Sequence, residues 1–194
     1  MCRTDEMEGP IGVIAPAVLQ SLARRFQKEL LVDAYDCIVS KRDSRSYSGE
    51  AISEETLQRI LQAGRMAGSS KNTQPWGFIV IRDEDQKAAI AGCGDFAQHV
   101  PSAQVLIAVV LTPGGGGFDA GRAAQNMMLA AWSEGITSCP VALHKRECAL
   151  DVLGLPDGHT PAMLLSFGYP ESEASRHRGI ARNSMTDLVH EERW

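Results

Sequence analysis

No apolar run in this sequence can span a bilayer. The longest, Val105 to Leu111, falls well short of the roughly 20 residues a membrane helix needs. Positive charge is not in excess either: 19 Lys and Arg stand against 24 Asp and Glu. The resulting net charge of -5 supplies no field for nucleic acid or an anionic membrane, although a local basic patch can still hold one phosphate. The polar, acidic residues 1–9 lack the basic-then-apolar order of a secretory signal. These readings predict a cytoplasmic protein with no nucleic-acid and no membrane partner. The five cysteines form no C-x-x-C pair, and their odd number and wide scatter predict reduced thiols rather than a disulfide framework. The five histidines are equally dispersed, without H-E-x-x-H or a Cys/His cluster, so no metal site is expected.

What is present describes an ordinary globular chain, 44% hydrophobic and 22% charged over 194 residues. Val18, Leu19, Leu22, Phe26 and Leu30 form one apolar helical stripe, with Pro16 suited to a first turn. A short helix is predicted over Asp33 to Ser40. Ser53 caps a third, with Glu54 and Glu55 in its first turn and Leu57, Ile60, Leu61 and Gly64 on one face. Strands are expected at Phe78 to Ile81, Val105 to Leu111 and near Met163 to Phe167. Helices are expected at about Glu84 to Ala91, at Phe118 to Glu134 and near Lys145 to Leu153. Gly135 should stop the long helix in the C′ position, and Gly114 to Gly117 should be loop. No repeat or linker divides the chain, and the alternation of elements predicts an α+β domain around one sheet.

Three segments could carry chemistry. Lys41, Arg42 and Arg45 lie within five residues and can surround a phosphate, with Asp43 among them to orient a guanidinium or accept a ring N–H. A solvated charge run closing a helix has the same composition. Ser69-Ser70-Lys71-Asn72-Thr73-Gln74-Pro75-Trp76 offers amides and hydroxyls before a core strand, and reads equally as a polar loop with Trp76 in the core. Gly135 to Leu143 is rich in small residues, which lets backbone N–H groups approach a flat ligand. Cys139 within it has no evident base and reads as a packed small residue. Arg176, Arg178 and Arg182 in the polar tail are surface charges or further phosphate ligands. Gly92-Cys93-Gly94-Asp95-Phe96-Ala97 fits the dinucleotide fingerprint, but a helical segment precedes it where a strand is required. Gly114 to Gly117 lacks the Gly-Lys-Ser/Thr of a P-loop.

In this order the segments resemble the FMN-dependent nitroreductase family. Lys41 to Arg45 with Tyr47 is similar to its Arg-Arg-Ser-x-Arg opening, with lysine first and Asp43 for the serine. Ala67 to Trp76 is similar to Ala-Pro-Ser-x-x-Asn-x-Gln-Pro-Trp and departs only at Gly68. Asp119 to Ala131 resembles the central helix, followed by the Gly135-Ile136 turn. Gly168-Tyr169-Pro170 and the arginine-bearing tail resemble the C-terminal arm. The likeness runs from about residue 38 to Trp194.

The resemblance implies a three-layer sandwich with a central, mostly antiparallel sheet flanked by helices, in an intertwined homodimer. It implies an FMN-binding domain over 36–194 after an N-terminal helical extension at 1–35. Lys41, Arg42, Arg45 and Arg182 would hold the phosphate and ribityl chain, and Asp43 would face the pyrimidine edge. Ser69, Ser70 and Asn72 would come from the other subunit, while Pro140, Val141, Ala142 and Leu143 would line the flavin. The activity implied is ping-pong hydride transfer from NADH or NADPH, through FMN, to a small electrophilic acceptor such as a nitroaromatic or quinone. With FMN carrying the chemistry, no catalytic side chain is required. The resemblance also reaches the branches that fragment flavin to dimethylbenzimidazole or dehalogenate, and proteins that only sequester flavin.

Overall fold

The computed structural model describes residues 33–172 and 181–194. Backbone contacts divide the chain into Met1–Asp36 and Cys37–Trp194. The apolar stripe from Val18 to Leu30, and the tail arginines Arg176 and Arg178, lie outside the described residues. In chain order the elements are α1 (Ala34–Ser40), α2 (Glu54–Arg65), β1 (Trp76–Ile81), α3 (Glu84–Ala91), β2 (Val105–Leu111), α4 (Gly117–Ser133), β3 (Thr137–Val141), α5 (Arg146–Leu153), β4 (Thr160–Gly168) and α6 (Met185–Leu188).

Local chemistry sets these boundaries. Ser53 Oγ accepts from the Thr56 amide at 3.1 Å and Asp83 Oδ1 from the Gln86 amide at 2.9 Å, so α2 and α3 begin at capped donors. The chain leaves α4 through Gly135, whose φ of +79° is a left-handed conformation that a side chain would disfavour.

The sheet runs β1-β2-β4-β3 with every neighbouring pair of strands antiparallel. Residues of β2 alternate between two cores. Val105, Ile107, Val109 and Leu111 pack under α2 and α4, with Leu57, Ile60, Met127 and Phe167. Leu106 and Ala108 face the opposite layer, with Ile90 of α3, Leu153 of α5 and Leu164. All seven residues of β2 are buried, as a strand covered on both faces must be. The result is the three-layer sandwich expected. The two edges differ. Residues 43–44 run beside β3, bridging Asp43 to Ser138 and giving the Ser44 amide to the Ser138 carbonyl at 3.1 Å. The outer edge of β1 has no partner strand among the described residues.

Several expectations are corrected. Gly117 opens α4 instead of closing the glycine loop, because the segment needs only Gly114 at positive φ. Thr137–Val141 is a strand, although it is too short, polar and proline-bearing to announce itself as one. β4 is longer than expected at both ends. The largest correction concerns the thiols: Cys93 and Cys148 are joined by a disulfide across 55 residues. The fold brings the end of α3 against α5, a proximity invisible in cysteine spacing. Cys37 and Cys139 are free and buried.

Candidate active site

The strand-like run at residues 43–44 carries its charged neighbours to the end of β3, and a cleft of about 720 Å³ opens there. Lys41, Arg42 and Asp43 line it on one side, Gln125 and Met128 of α4 on another, and Pro140 of β3 and Arg182 and Asn183 of the tail close it. Lys41 Nζ is ion-paired with Asp43 and also lies 3.6 Å from Met128 Sδ. Arg42 is anchored by donation to the carbonyls of Val39 and Lys41, each at 2.8 Å. Ser138 precedes Pro140 by two residues and so shares its face of β3. Its Oγ is buried without a hydrogen-bond partner, and the residue, 1% exposed, does not line the cleft.

Of the residues singled out in the sequence, the fold brings Lys41, Arg42, Asp43, Pro140 and Arg182 to this one cleft. Arg45 is outside it. Its Nε donates to Cys139 Sγ at 3.5 Å, and the residue is exposed. Burial pushes the Cys139 thiol up, with Arg45 opposing, so the group is a neutral thiol at neutral pH and no nucleophile. Val141 and Leu143 pack into the second core, and Ala142 is exposed at the end of β3. Gln125, Met128 and Asn183 escaped notice in the sequence. Gln125 carried a signal, as a polar residue one turn before Met128 on a mostly apolar helix.

Ser69, Ser70 and Asn72 lie elsewhere, on the exposed loop between α2 and β1. That loop is strained: Lys71, Asn72 and Gln74 have φ of 51°, 54° and 50°. Non-glycine residues in this region cost about 1–2 kcal/mol each, and such strain gathers where a backbone must present groups to a ligand. Ser69 Oγ holds the turn by accepting from the Gln74 amide at 2.8 Å. Behind the cleft, burial pushes the Tyr47 phenol well up, and burial with Arg45 holds His99 low. His99 Nε2 is buried and unpartnered. Among the described residues no group of His, Cys, Asp or Glu could hold a metal, and no helix is long and apolar enough to cross a membrane.

Comparison with known proteins gives the family and the fold. A provisionally named NADH dehydrogenase/NAD(P)H nitroreductase of Archaeoglobus fulgidus is 32% identical over 168 residues, covering 81% of this chain and 96% of its own. A solved Parabacteroides distasonis protein of the same provisional name superposes with a TM-score of 0.77 at 23% identity, over 84% of this chain and 100% of its own. The NADPH:FMN oxidoreductase of Vibrio harveyi, solved with NAD+, gives 0.76 at 22% identity, over 83% and 77%. The sequence profile of the nitroreductase family matches residues 38–106 and 117–169, and the chain belongs to that family.

Proposed function

We propose that this protein is an FMN-dependent oxidoreductase that uses NADH or NADPH to reduce a small electrophilic acceptor. The observation that carries the reading is the cleft into which Lys41, Arg42 and Arg182 converge beside Pro140. Three cations at one void suit a phosphate, and two of them are guanidiniums able to grip it bidentately. The carboxylate of Asp43 in the same cleft suits the polar edge of a heteroaromatic ring. FMN, when bound, supplies two-electron chemistry between a nicotinamide and an acceptor.

The chain's own residues have simpler tasks in this reading. Lys41, Arg42 and Arg182 bind the phosphate, and Asp43, held by Lys41, faces the pyrimidine edge. Arg45, whose Nε donates to Cys139 Sγ, completes the cationic run that holds the phosphate and ribityl chain. Pro140 to Leu143 form the wall against which the ring lies, and backbone N–H groups there stabilise negative charge on it. Reductant and acceptor take turns in one groove, which makes the kinetics ping-pong.

The assembly in this reading is a homodimer, with Ser69, Ser70 and Asn72 completing the neighbouring subunit's site. The strained, exposed conformation of that loop supports it. Residues 36–194 form the FMN-binding domain, 1–35 are an extension, and the enzyme works in the cytoplasm, where its nicotinamide is supplied. The test is the visible spectrum of the purified protein. Flavin absorbance at one FMN per chain, bleached by NADH or NADPH and restored by a quinone, is expected. Colourless protein that takes up no added FMN refutes the reading.

A further inference from the structure

The bond between Cys93 and Cys148 lies in the second core, on the side of the sheet away from α2 and α4. It ties the turn after α3 to the first turn of α5, directly beyond the Pro140 to Leu143 wall. Three hydrogen bonds cross the same junction. The Lys145 amide donates to the Cys93 carbonyl at 2.9 Å, Lys145 Nζ to the Gly92 carbonyl at 3.0 Å, and the Asp95 amide to His144 Nδ1 at 3.1 Å. The backbones also meet, since a Cβ on Gly94 would stand 2.9 Å from the Ala142 carbonyl. Asp95, His144 and Lys145 are exposed, so water competes for these bonds, whereas it cannot displace the disulfide.

The two sulfurs are not equivalent. Cys93 is fully buried and Cys148 is partly exposed, so a thiolate arriving from solvent meets the pair at Cys148. Cys148 is also the third residue of α5, where free backbone amides favour an anion. Lys145 and Arg146 precede it, against the single opposing charge of Glu147. These surroundings lower a thiol's pKa and make Cys148, once released, the reactive member of the pair. A cytoplasmic enzyme, as the oxidoreductase reading has it, meets a glutathione pool that reduces accessible disulfides. A bond kept there is transient and redox-sensing, and not a permanent staple.

We infer that Cys93–Cys148 is a thiol–disulfide exchange site for a small thiol of the glutathione class, entered at Cys148, and that its reduction loosens the end of the flavin wall. A glutathione thiolate attacks Cys148 Sγ, forming a mixed disulfide, while the bond to Cys93 breaks and Cys93 leaves as a thiolate that takes up a proton. A second glutathione thiolate attacks the glutathione sulfur of that mixed disulfide and releases Cys148, with oxidised glutathione as product. Two thiols thus give two electrons and two protons to the protein, and oxidised glutathione reverses both steps. The inference rests on the oxidoreductase reading for its effect on flavin, but the exchange is measured without turnover.

The experiment equilibrates the purified protein with glutathione mixtures from fully oxidised to fully reduced, quenches with acid, alkylates, and weighs the two cysteine peptides. Cys93 and Cys148 should become alkylated together as the reduced form comes to dominate. Cys93→Ser should accumulate glutathione on Cys148, and Cys148→Ser should leave Cys93 unmodified. A bond that stays closed at every ratio, or an adduct on Cys93 in place of Cys148, overturns the inference, and the wild-type titration decides this even if a variant fails to fold. By hydrogen exchange, the Lys145 and Asp95 amides should exchange at least about tenfold faster in reduced protein, because exchange reports local stability. FMN affinity, followed by flavin fluorescence, should fall in step with the reduced fraction. Equal exchange rates, or equal FMN affinity in the two states, overturn the coupling to the wall. Protein that shows the redox transition yet takes up no FMN in either state refutes the oxidoreductase reading and leaves the exchange site standing.

Discussion

Tyr47 Oη lies 2.7 Å from Ser166 Oγ, joining the segment that follows the cationic run to the middle of the sheet across 119 residues. Ser166 in turn donates to the Cys139 carbonyl at 3.1 Å, and Tyr47 Oη is 2.8 Å from the Ser44 carbonyl. The run from Lys41 to Arg45 is thus held against β3 by one buried phenol. Tyr47→Phe leaves these buried acceptors with one donor fewer, and should lower unfolding stability by about 1–3 kcal/mol. Urea denaturation of flavin-free protein measures it, and a change under about 0.5 kcal/mol would mean the segment is held by its backbone bridges alone.

Arg42→Ala and Arg182→Ala should each weaken FMN by roughly 1.5–3 kcal/mol, the range for a hydrogen bond to a charged group. Riboflavin, which lacks the phosphate, should bind all three proteins alike. Fluorescence titration with both flavins checks this. An equal loss for riboflavin would place the arginines at the ring instead of the phosphate.

Cys139→Ala should keep most of the wild-type rate at matched FMN occupancy. Its thiol is 2% exposed and burial raises its pKa, so no thiolate is available for attack. A rate under about a hundredth of wild type would mean that covalent chemistry runs through this sulfur.

The Cys93–Cys148 bond closes a loop spanning 55 residues. Loop-closure entropy for that length corresponds to about 4 kcal/mol of destabilisation of the unfolded chain. Cys148→Ser should lower the melting temperature by several degrees, and a reductant should do the same to wild type but not to the variant. Identical melting curves with and without reductant would show that the thiols are unpaired in solution.

His99 is held below its ordinary pKa first by burial and then by Arg45. The folded state therefore prefers the neutral ring. The associated stability is present above about pH 6.5 and is lost as pH falls through the depressed folded value. Melting temperature should decline through this window in wild type, with a shallower slope in His99→Asn. Parallel slopes would assign the acid sensitivity to carboxylates.

Elements whose cause is local were legible in the sequence. The Ser53 cap, the Gly135 stop and the apolar run of β2 all act within a few residues of themselves. β3 was not, because Thr-Ser-Cys-Pro-Val becomes a strand only through pairing with β4. Lys41, Arg42, Asp43, Pro140 and Arg182 were identified through a family pattern, and the fold brings them to one cleft. Arg45 pairs with Cys139, a contact that adjacency in sequence does not announce. The disulfide joins segments 55 residues apart, beyond the reach of periodicity or spacing.

The open edge of β1 bears on how the protein must be handled. Trp76-Gly77-Phe78-Ile79-Val80-Ile81 is six residues without charge or proline, rich in β-formers and unpaired along one side among the described residues. Such a strand is a template for intermolecular pairing, and its concentration-dependent failure is fibrous or amorphous precipitation.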